Sequence, residues 1–369
     1  MDQFMSNTQT SASFPQSTDI RWDCGSAYDL FVSLKVLHEP STFGLRASWA
    51  AGVRSRLPLE ERKFLEEIYS FFWVPITWIY NLPEPKDAAT ALSALRQIPA
   101  ERRLVTLSYA LKETPSEMRE LIQKVNSSRG WDDSDLEKVR AMEKTEGHNL
   151  TTSQLKSILN WLSKADEFGE KLLEALQTYH QVFFAEEEHR IEQPLHQALQ
   201  KAQQFSQTLP PMQLLNELSQ GVEFEESFFK KSLILAPTYW STPFIFLADL
   251  NLQTKIVLFG ARPTGDSLIP GEQVPETLLI ALKALADPTR LGILRYLEQA
   301  PHTPSQLARK LRLRAPTVTH HLNELRLAGL VQISIRGEMR YYSARHDYLK
   351  SLGNSLEQFL HSQEPSSRE

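Results

Sequence analysis

"RAPTVTHHLNELRLAGLV", from Arg314 to Val331, places two adjacent histidines in a short run whose apolar residues recur at helical spacing. Val318, Leu322 and Leu325 stand at i, i+4 and i+7, so a helix over this stretch has one buried stripe. On the same wheel His320 points nearly opposite that stripe, flanked by Thr317, Thr319, Asn323 and Glu324, while His321 lies at the buried edge. Gly329 follows where a left-handed C-cap is expected. Sequence neighbours project about 100° apart on a helix, which makes His320 and His321 a poor pair of ligands for one metal ion.

The segments on either side give this helix a context. In "ALKALADPTRLGILRYLEQ" Asp287 is a good N-cap and Pro288 opens the helix, where its missing N–H costs nothing. In "HTPSQLARKL" Thr303 caps, Pro304 starts and Gln306 closes a capping box, which leaves Leu307 and Leu311 facing a core. Downstream, "LVQISIRGEMRYYSAR" alternates as a hairpin. Gly337 and Glu338 form its turn, with glycine at the first central position as a type II′ turn requires, and Arg336 and Arg340 flank the tip. Helix, turn, helix and basic hairpin, in that order, describe a winged helix-turn-helix whose second helix enters the DNA major groove.

Four ordered motifs, "ALADPTRLGILRYL", "SQLARKL", "PTVTHHLNELRLAGLV" and "GEMRYYS", resemble the ArsR-type winged helix-turn-helix of bacterial transcription regulators. The resemblance runs from Val274 to His361, about a quarter of the chain. It implies sequence-specific binding of double-stranded DNA as a homodimer, usually repression relieved by a small effector. It also implies that His320 faces DNA and that His321 packs near the core. The DNA-binding residues expected from this reading are Arg314, Thr317, Thr319, His320 and Asn323, on or next to a recognition helix at about 315–328, and Arg336 and Arg340 on a wing at 336–340. The body before residue 274 resembles the long, poorly characterised N-terminal regions of some members.

The chain also departs from the family's pattern. Many members carry a metal-binding cysteine pair in the helix before the recognition helix, and "PHTPSQLARKL" has none. His346, Asp347 and His361 do not match the carboxylate and histidine ligands that other members place on the last helix, so no metal and no cofactor are expected. The Ser–Gln pair that commonly opens the recognition helix is replaced by Arg314 and Ala315, which takes away one usual base contact. Neither is a good cap, so the helix is expected to start with unpaired N–H groups, a phosphate seat that Arg314 reinforces. Leu349, Leu352, Leu356, Phe359 and Leu360 make an apolar stripe on the last helix, and Leu278, Leu282 and Leu285 make another. A small winged domain cannot cover both, so either a second copy or the N-terminal body is expected to do so.

Charge supports the division. The segment from Val274 to Ser362 holds 12 Lys and Arg against 7 Asp and Glu, while the whole chain carries −5, so the rest is near −10. A basic module on an acidic body suggests that the C-terminal piece meets a polyanion. At 369 residues there is room for two or three domains. The single cysteine, Cys24, excludes an internal disulfide and fits a reducing cytoplasm. The most apolar window, Ile68 to Tyr80, is too short to span a bilayer and contains Pro75.

The fold class expected is mainly α. Residues 1–22 are polar and read as a disordered leader. Residues 23–270 read as a helical body, with helices from Ser26 to Gln220 and about three strands at 231–261, and 274–362 is the winged domain. Phe244–Leu247 and Ile256–Phe259 are apolar without alternation, which predicts strands covered on both faces. Trp73, Trp78, Tyr239 and Trp240 are candidates to line an effector pocket, with helix-core packing as the other reading. His189, Glu192 and His196 share a helical face, but Pro194 interrupts the run and Glu186 to Glu188 read as a solvated charged face. No Gly-rich phosphate loop, nucleophile elbow or zinc-protease motif occurs, so no enzyme is expected. The rival reading is an enzyme-like or ligand-binding body fused to a winged helix used for protein contacts.

Overall fold

A computed structural model describes residues 18–108, 116–145, 150–263, 275–337 and 339–361. Among the described residues the body begins with β1 (Ile20–Trp22) and twelve α-helices: α1 (Ser26–His38), α2 (Ala47–Arg54), α3 (Leu59–Ile68), α4 (Ile76–Tyr80), α5 (Ala88–Gln97), α6 (Ala100–Ser108), α7 (Ser116–Ser128), α8 (Asp133–Thr145), α9 (Thr152–Leu162), α10 (Ala165–Tyr179), α11 (Ala185–Ser206) and α12 (Pro211–Leu218). Then come β2 (Val222–Glu223), β3 (Ser232–Thr238), β4 (Phe246–Asn251) and β5 (Thr254–Gly260). The C-terminal part comprises α13 (Glu276–Leu285), α14 (Pro288–Gln299), α15 (Pro304–Leu311), α16 (Ala315–Leu327), β6 (Val331–Arg336), β7 (Met339–Ala344) and α17 (His346–His361).

α1 buries ten of its thirteen residues, so it is enclosed on every side and forms the centre of the body. α10 continues through a π-helical turn at His180–Phe184 into α11, making one long rod. The rod crosses α6 at Gly169, where a Cβ would lie 2.0 Å from the Ala100 carbonyl oxygen. Only glycine permits that approach. Buried Arg103 fastens the crossing by donating to the carbonyls of Leu95, Ile98 and Gly169.

Two expectations about α11 need correction. Pro194 does not interrupt it; the helix runs unbroken over 22 residues. A proline forfeits one backbone hydrogen bond, but Ile191 and Leu195 on either side are buried in the core and hold the helix together. Nor is Glu186–Glu188 a uniformly solvated face. Glu187 is buried against Arg190, and Glu188 accepts from the Ser26 hydroxyl and the Ala88 N–H. His189, Glu192 and His196 are exposed, and no group of three or more metal-ligating side chains occurs among the described residues.

The body's sheet has the order β1-β3-β5-β4, with β1, β3 and β5 parallel and β4 antiparallel. β3 and β5 are central and buried on both faces, as their unbroken apolar runs require. β4 is different. It begins at Phe246, lies on the edge and alternates half-buried with exposed residues, so Phe244–Leu247 is not covered on both faces. The leader expected over residues 1–22 does not take in Ile20–Trp22, which pair with Leu233–Leu235 as the other edge strand. Ile20 and Trp22 pack on the same apolar cluster as β3 and β5, and this tertiary contact orders a segment whose neighbours in sequence are polar. Residues 1–17 and 264–274, the latter spanning the expected boundary between body and winged domain, lie outside the described residues.

The C-terminal part has its own core of Leu278, Ile293, Leu297, Leu307, Val318, Leu322 and Leu325 among others. No helix of the described residues is long and apolar enough to cross a membrane. β2 does not join the body's sheet. It pairs in parallel with β6 and makes the hairpin a three-stranded sheet in the order β2-β6-β7.

Candidate nucleic-acid interface

The helix-turn-helix is assembled by local rules that hold in three dimensions. Asp287 accepts from the Arg290 N–H as the cap of α14, and Thr303 and Gln306 form both halves of the capping box on α15. Arg312 stops α15 in the left-handed region at φ 57°, and three residues later α16 begins. Arg314 is its N-cap, with no side-chain bond to the first turn. Val318, Leu322 and Leu325 are each 0% exposed, so the inner face of α16 is fixed against α13, α14 and α15.

The opposite face is polar and open. Arg314, Thr317, Thr319, His320 and Asn323 are all exposed. The Thr319 hydroxyl donates to the Ala315 carbonyl, which leaves its oxygen free to accept. His321 is half-buried, its ring 6.0 Å from that of His320, and its Nδ1 is buried with no hydrogen-bond partner among the described residues. It also lies near Asp287, whose carboxyl is held below the usual range first by the Arg290 N–H and then by nearby positive charge.

Next to this face the chain carries Arg309, Lys310, Arg312 and Arg314, all exposed and none in an ion pair with a described residue. Lys310 stands 5.3 Å over the Tyr296 ring. Of these four, sequence reasoning singled out only Arg314. The run "ARKLRLR" carried the signal, since it puts four cations around a helix-turn-helix corner.

The wing forms with Arg336 opposite Met339, so its turn holds two residues. Gly337 takes φ 59°, the left-handed conformation that a β-branched or bulky residue resists. Glu338 lies outside the described residues. Arg336 and Arg340 are both exposed; the Arg336 guanidinium rests 5.0 Å from the Tyr341 ring centre. On the inner side His302 exchanges backbone bonds with Tyr342, tying the loop before α15 to β7.

The body meets α16 near its C-terminal end, where Gly44 lies against Leu327 and Ile280. Arg326, near the end of α16, is 3% exposed and donates to the carbonyls of Ser219 at 2.9 Å and Gln220 at 2.7 Å, just past α12. Burial, with Arg345 nearby, pulls its guanidinium down to about 10, so it keeps its charge at neutral pH. Arg345 also donates to the Gln220 carbonyl, and the Ile333 N–H donates to Gly221. Sequence reasoning missed Arg326. An arginine in the last turn of a helix reads as a solvated dipole partner, and only the fold brings residues 219–221 beside it.

The four aromatic residues expected at an effector pocket do not come together at one opening. Trp240 and Tyr239 are fully buried, and Trp240 packs against Trp49 and Phe183. Trp78 is half-buried with its ring edge-to-face on Phe31, while Trp73 is exposed beneath Lys35. Packing of the core around α1 accounts for three of them. Beside them Asp29 accepts from the backbone N–H groups of Tyr239 and Trp240, and burial pushes its carboxyl up to about 7, while the Trp240 indole N–H is buried with no partner among the described residues. Lys86 pairs with Asp23 at 2.6 Å, both nearly closed to solvent.

Similarity to known proteins falls on the same module. A family model described as a helix-turn-helix domain matches residues 285–333. The chain is 32% identical over 78 residues to the transcriptional repressor SdpR of Bacillus subtilis, a match covering 21% of this chain and 87% of that protein. It is 37% identical over 71 residues to an uncharacterized HTH-type transcriptional regulator of Methanocaldococcus jannaschii, covering 19% of this chain and 80% of that protein. Among solved structures, an ArsR-like transcriptional regulator from Rhodococcus sp. RHA1 aligns at 33% identity over 22% of this chain and 77% of that one, with a TM-score of 0.21.

Proposed function

We propose, for a chain that belongs to the ArsR-type helix-turn-helix transcription regulators, that α16 reads operator bases in the major groove while the wing grips the backbone. The observation that carries this reading is the two-sided build of α16. One face is locked into the core, and the other holds Thr317, Thr319, His320 and Asn323 in the open beside a rim of cations. Threonine, asparagine and histidine offer the donors and acceptors that base edges answer, while arginines on the rim and wing answer phosphate. Arg314, Arg336 and Arg340 take the phosphate role, and Arg309, Lys310 and Arg312 join them.

The regulator works as a homodimer in the cytoplasm. α13 turns Leu278, Ala281 and Ala284 inward and leaves Leu282 38% exposed, while Leu360 on α17 is 68% exposed. Leu285, Leu349, Leu356 and Phe359 pack on the module's own core, so Leu282 and Leu360 are what the two stripes leave open to a second copy. A two-fold pair sets two recognition helices about 34–36 Å apart on a near-palindromic operator. Residues 23–270 form the regulatory body and 274–362 the reading module. An effector acts through the joint between them.

The deciding experiment is binding of His320→Ala to operator and to random duplex. The expected result is a fall of about tenfold to a hundredfold in the operator-to-random ratio, the worth of one good base contact. Equal loss on both duplexes would reduce His320 to a positioning residue. Light scattering on the full chain tests the pairing, and a stable monomer protecting a single half-site would overturn it.

A further inference from the structure

We propose that the body's β2 segment is a built-in stop on the wing, whose carboxylates occupy donors that DNA phosphate would otherwise use. This rests on the DNA-binding reading above and adds its regulation.

β2 is the third strand of the wing's sheet, supplied from a position more than a hundred residues upstream. It brings acid with it. Glu223 accepts from the Gln332 amide at 3.2 Å and from the Ser334 hydroxyl at 2.6 Å. Glu225 accepts from the Gly337 N–H at 3.0 Å, at the tip of the hairpin. Small hydroxyls, amides and main-chain N–H groups are the neutral donors with which a protein holds DNA phosphate. On this wing, three such donors already hold a carboxylate.

Charge sharpens the effect. Glu223, Glu225 and Glu226 are exposed, and none is in an ion pair with a described residue. Their charge therefore stands uncompensated on the same sheet as Arg336 and Arg340, where a phosphate backbone is expected to lie. A duplex approaching the wing meets like charge and blocked donors together.

The stop is also tied to the body. β2 has only two residues, and Val222, Phe224 and Phe229 are buried in a cluster with Leu214 and Leu215 of α12, so β2 follows α12 while it is joined to the module by the wing pairing and by the carbonyls clasped by Arg326 and Arg345. Those carbonyls lie directly beyond α12. A shift of α12 in the body would thus lift Glu223 and Glu225 off the wing, which links the state of the body to affinity for DNA.

The test uses the full chain carrying Glu223→Gln with Glu225→Gln, and Glu225→Gln alone. Glutamine keeps the acceptor oxygen and the shape, so the sheet is preserved while the charge is lost; circular dichroism melts check that each variant is folded. Affinity for a random-sequence duplex is measured by fluorescence anisotropy at two salt concentrations. The expected result is binding tighter than wild type by about threefold to tenfold for the double variant at low salt, with a smaller gain for the single one, and the gains shrinking at high salt where charge is screened. Equal or weaker binding by the folded variants, with wild type still binding DNA, would overturn the stop and leave the DNA-binding reading intact. If neither wild type nor variants bind any duplex, both readings fall. Binding by the variants alone would support the stop in its strongest form.

Discussion

Replacing Arg326 by Met should loosen the joint between body and reading module without unfolding either. The variant keeps an unbranched apolar stem in a site that is 3% exposed and removes only the guanidinium. Two carbonyls then lose a donor. That of Gln220 keeps Arg345 at 3.1 Å, whereas that of Ser219 has no other hydrogen bond from a described residue. One buried acceptor left unmade costs about 1–3 kcal/mol, and the pairing of β2 with β6 should weaken by that amount. Hydrogen exchange reads it directly. Amides in peptides covering 219–225 and 331–336 should exchange about fivefold to a hundredfold faster, while those in α1 and α10 stay as protected as in wild type. Unchanged exchange in both peptides would refute the assignment of Arg326 as the clasp. Slower exchange would refute it differently, by showing that desolvating a lone buried cation costs more than its two bonds return.

Gly169→Ala should force α10 away from α6, since the new methyl would sit 2.0 Å from a backbone oxygen; the expected cost is about 3 kcal/mol or more, seen as a melting point lower by roughly 5–10 °C, and an unchanged melt would mean the helices do not cross so closely. His38 is pushed down to about 4 by burial, so its contribution to stability is fully present above about 6.5 and is lost as pH falls toward 4. His38→Phe should accordingly lose less stability than wild type between those pH values in parallel denaturant titrations, and identical pH profiles would contradict the burial argument. Arg336→Ala and Arg340→Ala should each weaken binding to all duplexes and flatten the dependence of log affinity on log salt by about one unit; a slope equal to wild type in both would remove the wing from the contact.

Much of the reading module was legible because its signals are local. Asp287, Thr303 with Gln306, Gly329 and Gly337 are caps and turns, each settled within four residues of chain, and each takes the predicted role. The stripe of Val318, Leu322 and Leu325 depends only on helical period, and it fixes which face His320 presents. Other features misled because packing outweighed a local preference. Pro194 sits inside a continuous helix held by Ile191 and Leu195. Phe244–Leu247 reads as buried strand, yet β4 falls at the edge, where one face meets solvent. Trp240 and Tyr239 suggest a pocket by composition, but the fold uses them to fill the centre of the body.

The sequence by itself determined the kind of module at the C-terminus, the order of its elements and the outward face of its reading helix, since periodicity, capping and turn chemistry act between near neighbours. Only the tertiary structure decided that Ile20–Trp22 forms an edge strand with β3, that Val222–Glu223 leaves the body's sheet to join the wing, and that Arg326 is buried beneath Ser219 and Gln220. Each of these joins residues from about a hundred to more than two hundred positions apart. Strand pairing of two or three residues leaves almost no pattern in a sequence, because its stability comes from the surface it completes rather than from the residues that complete it.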